Sequence, residues 1–262
     1  MPIKKVKNST EKYREIAKSG DDPHTLTGRG SNKDLTVQRV QFVSNNVRLL
    51  NTKFNCILDV GCGNGAFLDE LRHLGAKCIG ILPSTEECQI VSQLLTHDNV
   101  TIERGISNNL PCEGDSIDLL LCNSVLHGIG FDQNLVRNSL REFHRVLRKG
   151  AILYIGEIPE LNEMDGRNYG TSFILYCLWV LKNRGVITML RQVRDYIHCA
   201  LTNRIYTIQP TNMFFCNRKD FTDMLESEGF DVEHIYESKT NKRQFTQDPV
   251  KSQRLDYLCT KK

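Results

Sequence analysis

Five residues in a row, Gly61-Cys62-Gly63-Asn64-Gly65, carry the strongest chemical signal in this 262-residue chain. They follow Leu58-Asp59-Val60, the end of a short apolar run from Cys56, and they precede an apolar-periodic stretch from Ala66 to Leu74. A strand that ends in glycines and passes straight into a helix makes a binding site for physical reasons. Glycine tolerates positive φ and lets a ligand approach the backbone. The first turn of the helix presents unpaired N–H groups and partial positive charge. The residues alone leave two cofactors open, because Gly61, Gly63 and Ala66 also satisfy the G-x-G-x-x-G/A dinucleotide pattern.

Several other chemistries are excluded. None of the ten cysteines forms a Cys-x-x-Cys pair, so no zinc spacing is present and no metal site is expected. Cys56, Cys122 and Cys177 lie inside apolar runs, where a thiol behaves as a small hydrophobe. A net charge of +3 is too near balance to argue for a nucleic-acid partner. The stretch Met1 to Asp22 is polar and reads as neither signal peptide nor anchor. The longest apolar run, Phe173 to Leu181, is far shorter than the about 20 residues of a membrane span. Reduced thiols and a cytoplasmic location are expected.

The elements that must position the glycines alternate. Thr10–Ala17 and residues 36–50 read as helices, then Cys56–Val60 as a strand and Ala66–Leu74 as a helix stopped by Gly75. Lys77–Leu82 is a strand, and Ser84–Leu95 a helix with Ser84 as N-cap and Glu87 completing a capping box. Val100–Arg104, Ser116–Cys122 and Ala151–Gly156 read as strands, with a helix over Gln133–Leu147. After a long break come a helix at Lys219–Glu228 and strands at Asp231–Glu237 and Leu255–Thr260. This rhythm predicts an α/β domain with a mostly parallel sheet.

The segment Leu58 to Gly65 resembles the first motif of class I, Rossmann-like S-adenosylmethionine-dependent methyltransferases of the small-molecule type. The resemblance continues through Leu110-Pro111, Asp115–Leu119, Asn123–His127, Arg141–Gly150 and Leu225–Phe230, in the family's order and spacing. It implies a seven-stranded, mostly parallel sheet with the last strand antiparallel, and S-adenosyl-L-methionine as cofactor. It assigns cofactor contacts to Asp59, Gly61, Cys62, Gly63, Asn64, Gly65, Leu82, Pro83, Ser107, Asn108 and Asn123. His127, on the turn that faces the methyl group in the family, is the expected catalytic base, and Glu157 a weaker candidate for orienting the acceptor. Residues 1–50 would be a helical lid segment, 51–157 with 217–262 the cofactor domain, and 158–216 a helical cap for the acceptor. Arg29, in that lid segment, would clamp an anionic group or remain a solvated loop residue.

Two departures stand out. The family usually ends the second strand with an acid that binds both ribose hydroxyls, and here that position is Leu82, which accepts no hydrogen bond. Ile106 stands where an Asp is common and Asn108 where a Glu is common, although an amide still offers donor and acceptor to adenine. Glu86 and Glu87 lie on the following helix and are not expected to replace the acid. Asn123-Ser124-Val125-Leu126 is not the Asn/Asp-Pro-Pro-Tyr/Phe of nucleobase enzymes, and Cys112 beside Pro111 reads as incidental.

In the insertion, the apolar run 173–181 is followed by Lys182, Arg184, Arg191, Arg194 and Arg204 against Asp195 alone. Apolar plus basic suits a cap packed on the core, and it also suits peripheral membrane contact through 173–204. The resulting expectation is methyl transfer to a small molecule, such as a sugar or a glycan- or lipid-linked intermediate. The alternatives are a catalytically silent binding module, or an enzyme reusing the fold with an altered cofactor, and Leu82 keeps both open.

Overall fold

The computed structural model describes residues 9–20, 22–28, 33–50, 52–130, 132–160, 173–201, 214, 216–238 and 254–262. Arg29 and Arg204 lie outside the described residues. Helices α1 (Ser9–Lys18) and α2 (Lys33–Arg48) come first, with a 3-10 turn at Pro23–Thr27 between them. β1 (Cys56–Val60), α3 (Ala66–Leu71), β2 (Lys77–Leu82), α4 (Thr85–Leu94), β3 (Val100–Arg104) and β4 (Ile117–Asn123) then alternate. They are followed by α5 (Gln133–Val146), β5 (Leu147–Pro159), α6 (Phe173–Leu201), α7 (Arg218–Ser227), β6 (Phe230–Glu237) and β7 (Arg254–Lys261).

Local chemistry explains the element ends. α4 starts where the capping box requires, with Ser84 Oγ accepting from the Glu87 N–H. The helix expected to reach Leu74 is α only to Leu71, and Arg72–Leu74 tightens into a 3-10 turn before Gly75. β5 runs beyond Ala151–Gly156 at both ends. Leu147 pairs with Ile117 before a register shift, and Ile158 and Pro159 pair with Leu255 and Arg254 of β7.

The strands form one seven-stranded sheet in the order β3-β2-β1-β4-β5-β7-β6. Neighbours from β3 to β5 are parallel, and β7 runs antiparallel to both β5 and β6. The chain steps from β1 out to β2 and β3, then returns to β4 on the other side of β1. That reversal opens a crevice beyond the carboxyl ends of β1 and β4. The period of two along β4 divides the core into two layers. Leu119 and Leu121 pack with Val43, Val47, Leu68 and Leu71, from α2 and α3. Leu120 and Cys122 pack with Leu140, Phe143 and Leu225, from α5 and α7.

α6 is not one rod. Its path breaks at Gly185, with φ 79 and ψ 169. Phe173 stacks on Tyr196 with ring centroids 4.3 Å apart, and Tyr176 Oη donates to Gln192 Oε1 at 3.4 Å. On a straight helix Phe173 and Tyr196 would stand about 35 Å apart. The two halves therefore fold back on each other as a hairpin. Its outward side carries Ile174, Leu178, Ile187 and Leu190, all more than half exposed.

Arg39, on α2, is fully buried. Its Nη1 donates to Asp256 Oδ2 of β7 at 2.6 Å, and its Nε donates to Asn123 Oδ1 at the end of β4 at 3.0 Å. Glu157 Oε1 of β5 lies 3.8 Å from the same Nε. Asp256 also accepts from Tyr154 Oη at 2.8 Å, from the Glu157 N–H at 2.8 Å and from Ser238 Oγ at 2.5 Å. Burial alone would lower the Arg39 pKa, but Asp256 and Glu157 more than offset it and hold the guanidinium charged. Gly156 completes the pocket, because a Cβ there would strike the Asn123 amide oxygen and Arg39 Nη2. Asp256→Ala would leave a buried cation without its main partner. It should cost about 3–5 kcal/mol of stability, measured by urea unfolding followed by circular dichroism.

Candidate active site

Beyond the carboxyl ends of β1, β2 and β4 lies a cleft of about 330 Å³. Asp59, Gly61, Cys62, Gly63 and Asn64 line it from the first strand-to-helix turn. Leu82, Pro83 and Glu87 line it from β2 and α4, and Ile106, Ser107 and Asn108 from the loop after β3. Asn123 and His127 line it from the end of β4 and the turn beyond. Ser9, Tyr13, Leu26 and Thr36 reach it from the N-terminal elements, and Ser9 Oγ donates to the Gly128 carbonyl at 3.0 Å, tying α1 to the His127 turn.

Gly61 needs to be glycine. Its φ is 73, and a Cβ there would run into Val125. Gly65 is the one expected cofactor contact that does not line the cleft. It caps the start of α3, and a Cβ on it would strike Leu95 at the end of α4, so its smallness serves helix packing. Asn64 Oδ1 accepts from the Ala66 N–H at 3.3 Å and steadies the turn.

Asp59 is the unusual group. It is 1% exposed, its Oδ2 has no hydrogen-bond partner, and desolvation pushes its pKa up to about 7. A buried carboxyl with a bare oxygen on the wall of a glycine-lined cleft is a polar group left unmet by the protein. The residues present therefore fit a ligand that brings a hydrogen-bonding group to Asp59.

Glu87, on the helix that follows β2, lines the cleft while being 3% exposed. It stands in the first turn of α4, where Ser84 Oγ donates to its Oε2 at 2.5 Å, and burial raises its pKa to about 7. Glu157, the weaker candidate for orienting the acceptor, stands elsewhere. It is not among the cleft residues, and its carboxylate lies between Arg39 at 3.8 Å and Arg254 at 3.7 Å in the buried cluster.

Arg39 was not among the expected residues. The signal for it is an arginine in register with Val43 and Val47 on the apolar stripe of α2, a position where a charge survives only if paired. With Asn123 Oδ1 accepting from Arg39, Asn123 has its amide N–H₂ to offer a ligand. Ser107 Oγ is 2.9 Å from Ser139 Oγ, which itself donates to the Leu135 carbonyl, so Ser107 is the donor in that pair. Burial pushes the Cys112 thiol up to about 11, in keeping with an unreactive side chain. Among the described residues no group of His, Cys, Asp and Glu is arranged to hold a metal.

Residues 58–155 match the family described as Methyltransferase domain. An uncharacterized methyltransferase of Bacillus subtilis, YcgJ, is 30% identical over 115 residues, covering 41% of this chain and 44% of that protein. The chain thus spans less than half the length of this curated relative. In structure, the [4+2]-cyclase SpnF superposes over 99% of this chain and 98% of its own, with a TM-score of 0.63 at 14% identity. An S-adenosylmethionine-dependent methyltransferase of Methanosarcina mazei covers 80% of this chain and 93% of its own, with a TM-score of 0.53 at 16% identity. At these identities the structures establish the fold. The family match is confined to residues 58–155, and the solved structures add the fold alone.

The carboxyl of Asp59 ties stability to pH. Between its ordinary value of 3.8 and about 7, the unfolded chain has released this proton while the folded chain keeps it. Stability contributed at this site therefore falls as pH rises through that window, and the loss is complete above it. Asp59→Asn should match the native protein near the acid end and exceed its stability at the alkaline end, read from urea midpoints across the range.

Proposed function

We propose that this chain transfers a methyl group from S-adenosylmethionine to a small-molecule acceptor. The single observation that carries the reading is the cleft itself: the glycine turn and the bare Asp59 carboxyl stand at one part of its lining and His127 at another. The cofactor supplies an electrophilic methyl on a sulfonium sulfur. The residues must hold the acceptor's nucleophile in line with it and keep water out. Asn123, fixed by the buried Arg39, offers its amide N–H₂ near the polar end of the site. In this reading His127, on the cleft lining, takes a proton from a hydroxyl or amine acceptor.

The α6 hairpin supports an apolar or lipid-linked acceptor presented at a membrane surface. Its exposed side combines Ile174, Leu178, Ile187 and Leu190 with the exposed Lys182, Arg191 and Arg194. Apolar side chains flanked by cations are the composition of a helix that lies in an anionic interface. No helix among the described residues is long and apolar enough to cross a membrane.

Calorimetric titration with S-adenosylmethionine and S-adenosylhomocysteine tests the first half of the reading. Binding of neither would end it. Once an acceptor is in hand, His127→Ala should lower turnover by about 100-fold or more while leaving cofactor affinity unchanged. Co-sedimentation with vesicles of phosphatidylcholine and phosphatidylserine tests the second half. Retention that falls with salt and is lost in Leu178→Asp with Ile187→Asp is expected, and absence of retention removes the membrane role.

A further inference from the structure

Leu82 leaves the end of β2 without a side-chain hydrogen-bond acceptor at the place where an adenosyl cofactor would need one. The ribose carries two adjacent hydroxyls, and burying both without acceptors is unfavourable. The cleft nevertheless contains a carboxyl on the same side. Glu87 is five positions after Leu82, in the first turn of α4, and both residues line the cleft together with Pro83.

Its surroundings are not those of an ordinary capping glutamate. In the usual capping box the carboxylate reaches back to the backbone N–H of the cap residue. Here its Oε2 takes the hydroxyl hydrogen of Ser84 at 2.5 Å, while the Glu87 N–H donates to that same Ser84 oxygen at 3.3 Å. Ser84 is itself 5% exposed. The pair locks one carboxyl oxygen in place, and Oε1 takes no part in that bond. A carboxyl nine-tenths buried, oriented by a buried hydroxyl and bordering a cleft costs desolvation that helix capping alone does not require.

We propose that Glu87 is the group that reads the ribose hydroxyls of the bound adenosyl cofactor, replacing an acid at the end of β2. The acid has moved from the strand tip to the first turn of the next helix, with Ser84 as its orienting partner. This rests on the S-adenosylmethionine reading above, and the experiment separates the two.

The probes are S-adenosylhomocysteine and its 2′-deoxyribose analogue, titrated calorimetrically into native protein, Glu87→Gln and Leu82→Asp, with thermal midpoints recorded for each. Native protein should prefer the ribose form. Glu87→Gln, which retains an acceptor for the Ser84 hydroxyl, should bind S-adenosylhomocysteine about 10-fold or more weakly and lose the preference for ribose over deoxyribose. Leu82→Asp should give no gain, because a second carboxyl would crowd a site already served. Failure of native protein to bind either probe overturns the cofactor reading and this inference with it. Native binding with Glu87→Gln within about twofold overturns the Glu87 assignment alone. So does equal weakening of both probes with a lowered midpoint, the mark of a purely structural cap. If Glu87→Gln does not fold, a gain of about tenfold in Leu82→Asp still counts against the assignment, and the absence of a gain supports it.

Discussion

A buried cation holds the cleft to the rest of the sheet. The Arg39 guanidinium joins α2 to the ends of β4, β5 and β7 through Asn123, Glu157 and Asp256. Taking such a charge out of water is costly, and the cost is met only because several oxygens surround it at once. Asp256 has four donors of its own, so neither side of the pair is left bare. Gly156 and the left-handed backbone at Ser124 and Glu157 make the room, which explains why irregular geometry gathers at the edge of the site. The amide of Asn123, a cleft residue, takes its orientation from this cluster. Its placement therefore depends on a strand that does not itself line the cleft.

The cleft also keeps two carboxyls, Asp59 and Glu87, at the threshold of ionisation near neutral pH, in both cases mainly through burial. They differ in what constrains them. Glu87 is held by the Ser84 hydroxyl, and Asp59 has an oxygen with no partner. One is an oriented acceptor, and the other is an unmet demand that a ligand would satisfy.

Much of this was legible in the residues. β1 and β2 were readable to the residue, because each is a short apolar run closed by a breaker, Gly61 after β1 and Pro83 after β2. The start of α4 was fixed by Ser84 and Glu87, and the sheet's parallel character by the alternation of elements. The failures have physical causes. The capping-box motif predicts a backbone bond for Glu87 and is silent on whether the helix's first turn borders a cavity. Glu157 looks available because it follows a strand, and only the three-dimensional arrangement reveals Arg39 and Arg254 beside it. Arg39 and Asp256 are 217 residues apart, so no local pattern pairs them, although an arginine on an apolar stripe announces that some partner exists. The hairpin in α6 was hidden because Gly185 in a periodic stretch lowers helix propensity without saying in which direction the chain will turn.

β7 lies between β5 and β6, so the strand latest in sequence enters the sheet in the middle of one half. During synthesis the parallel half, β1 to β5, is complete before β6 emerges, while β6 must wait for β7 before it has any neighbour. Asp256 rides on that strand. Until it arrives, Arg39 is a cation without its counterion, and its burial is uphill. Closing the guanidinium pocket is thus a late event of high contact order. The nascent chain holds an assembled glycine turn well before it holds a finished Asn123 wall, so the competence of the cleft reports that the last strand has docked.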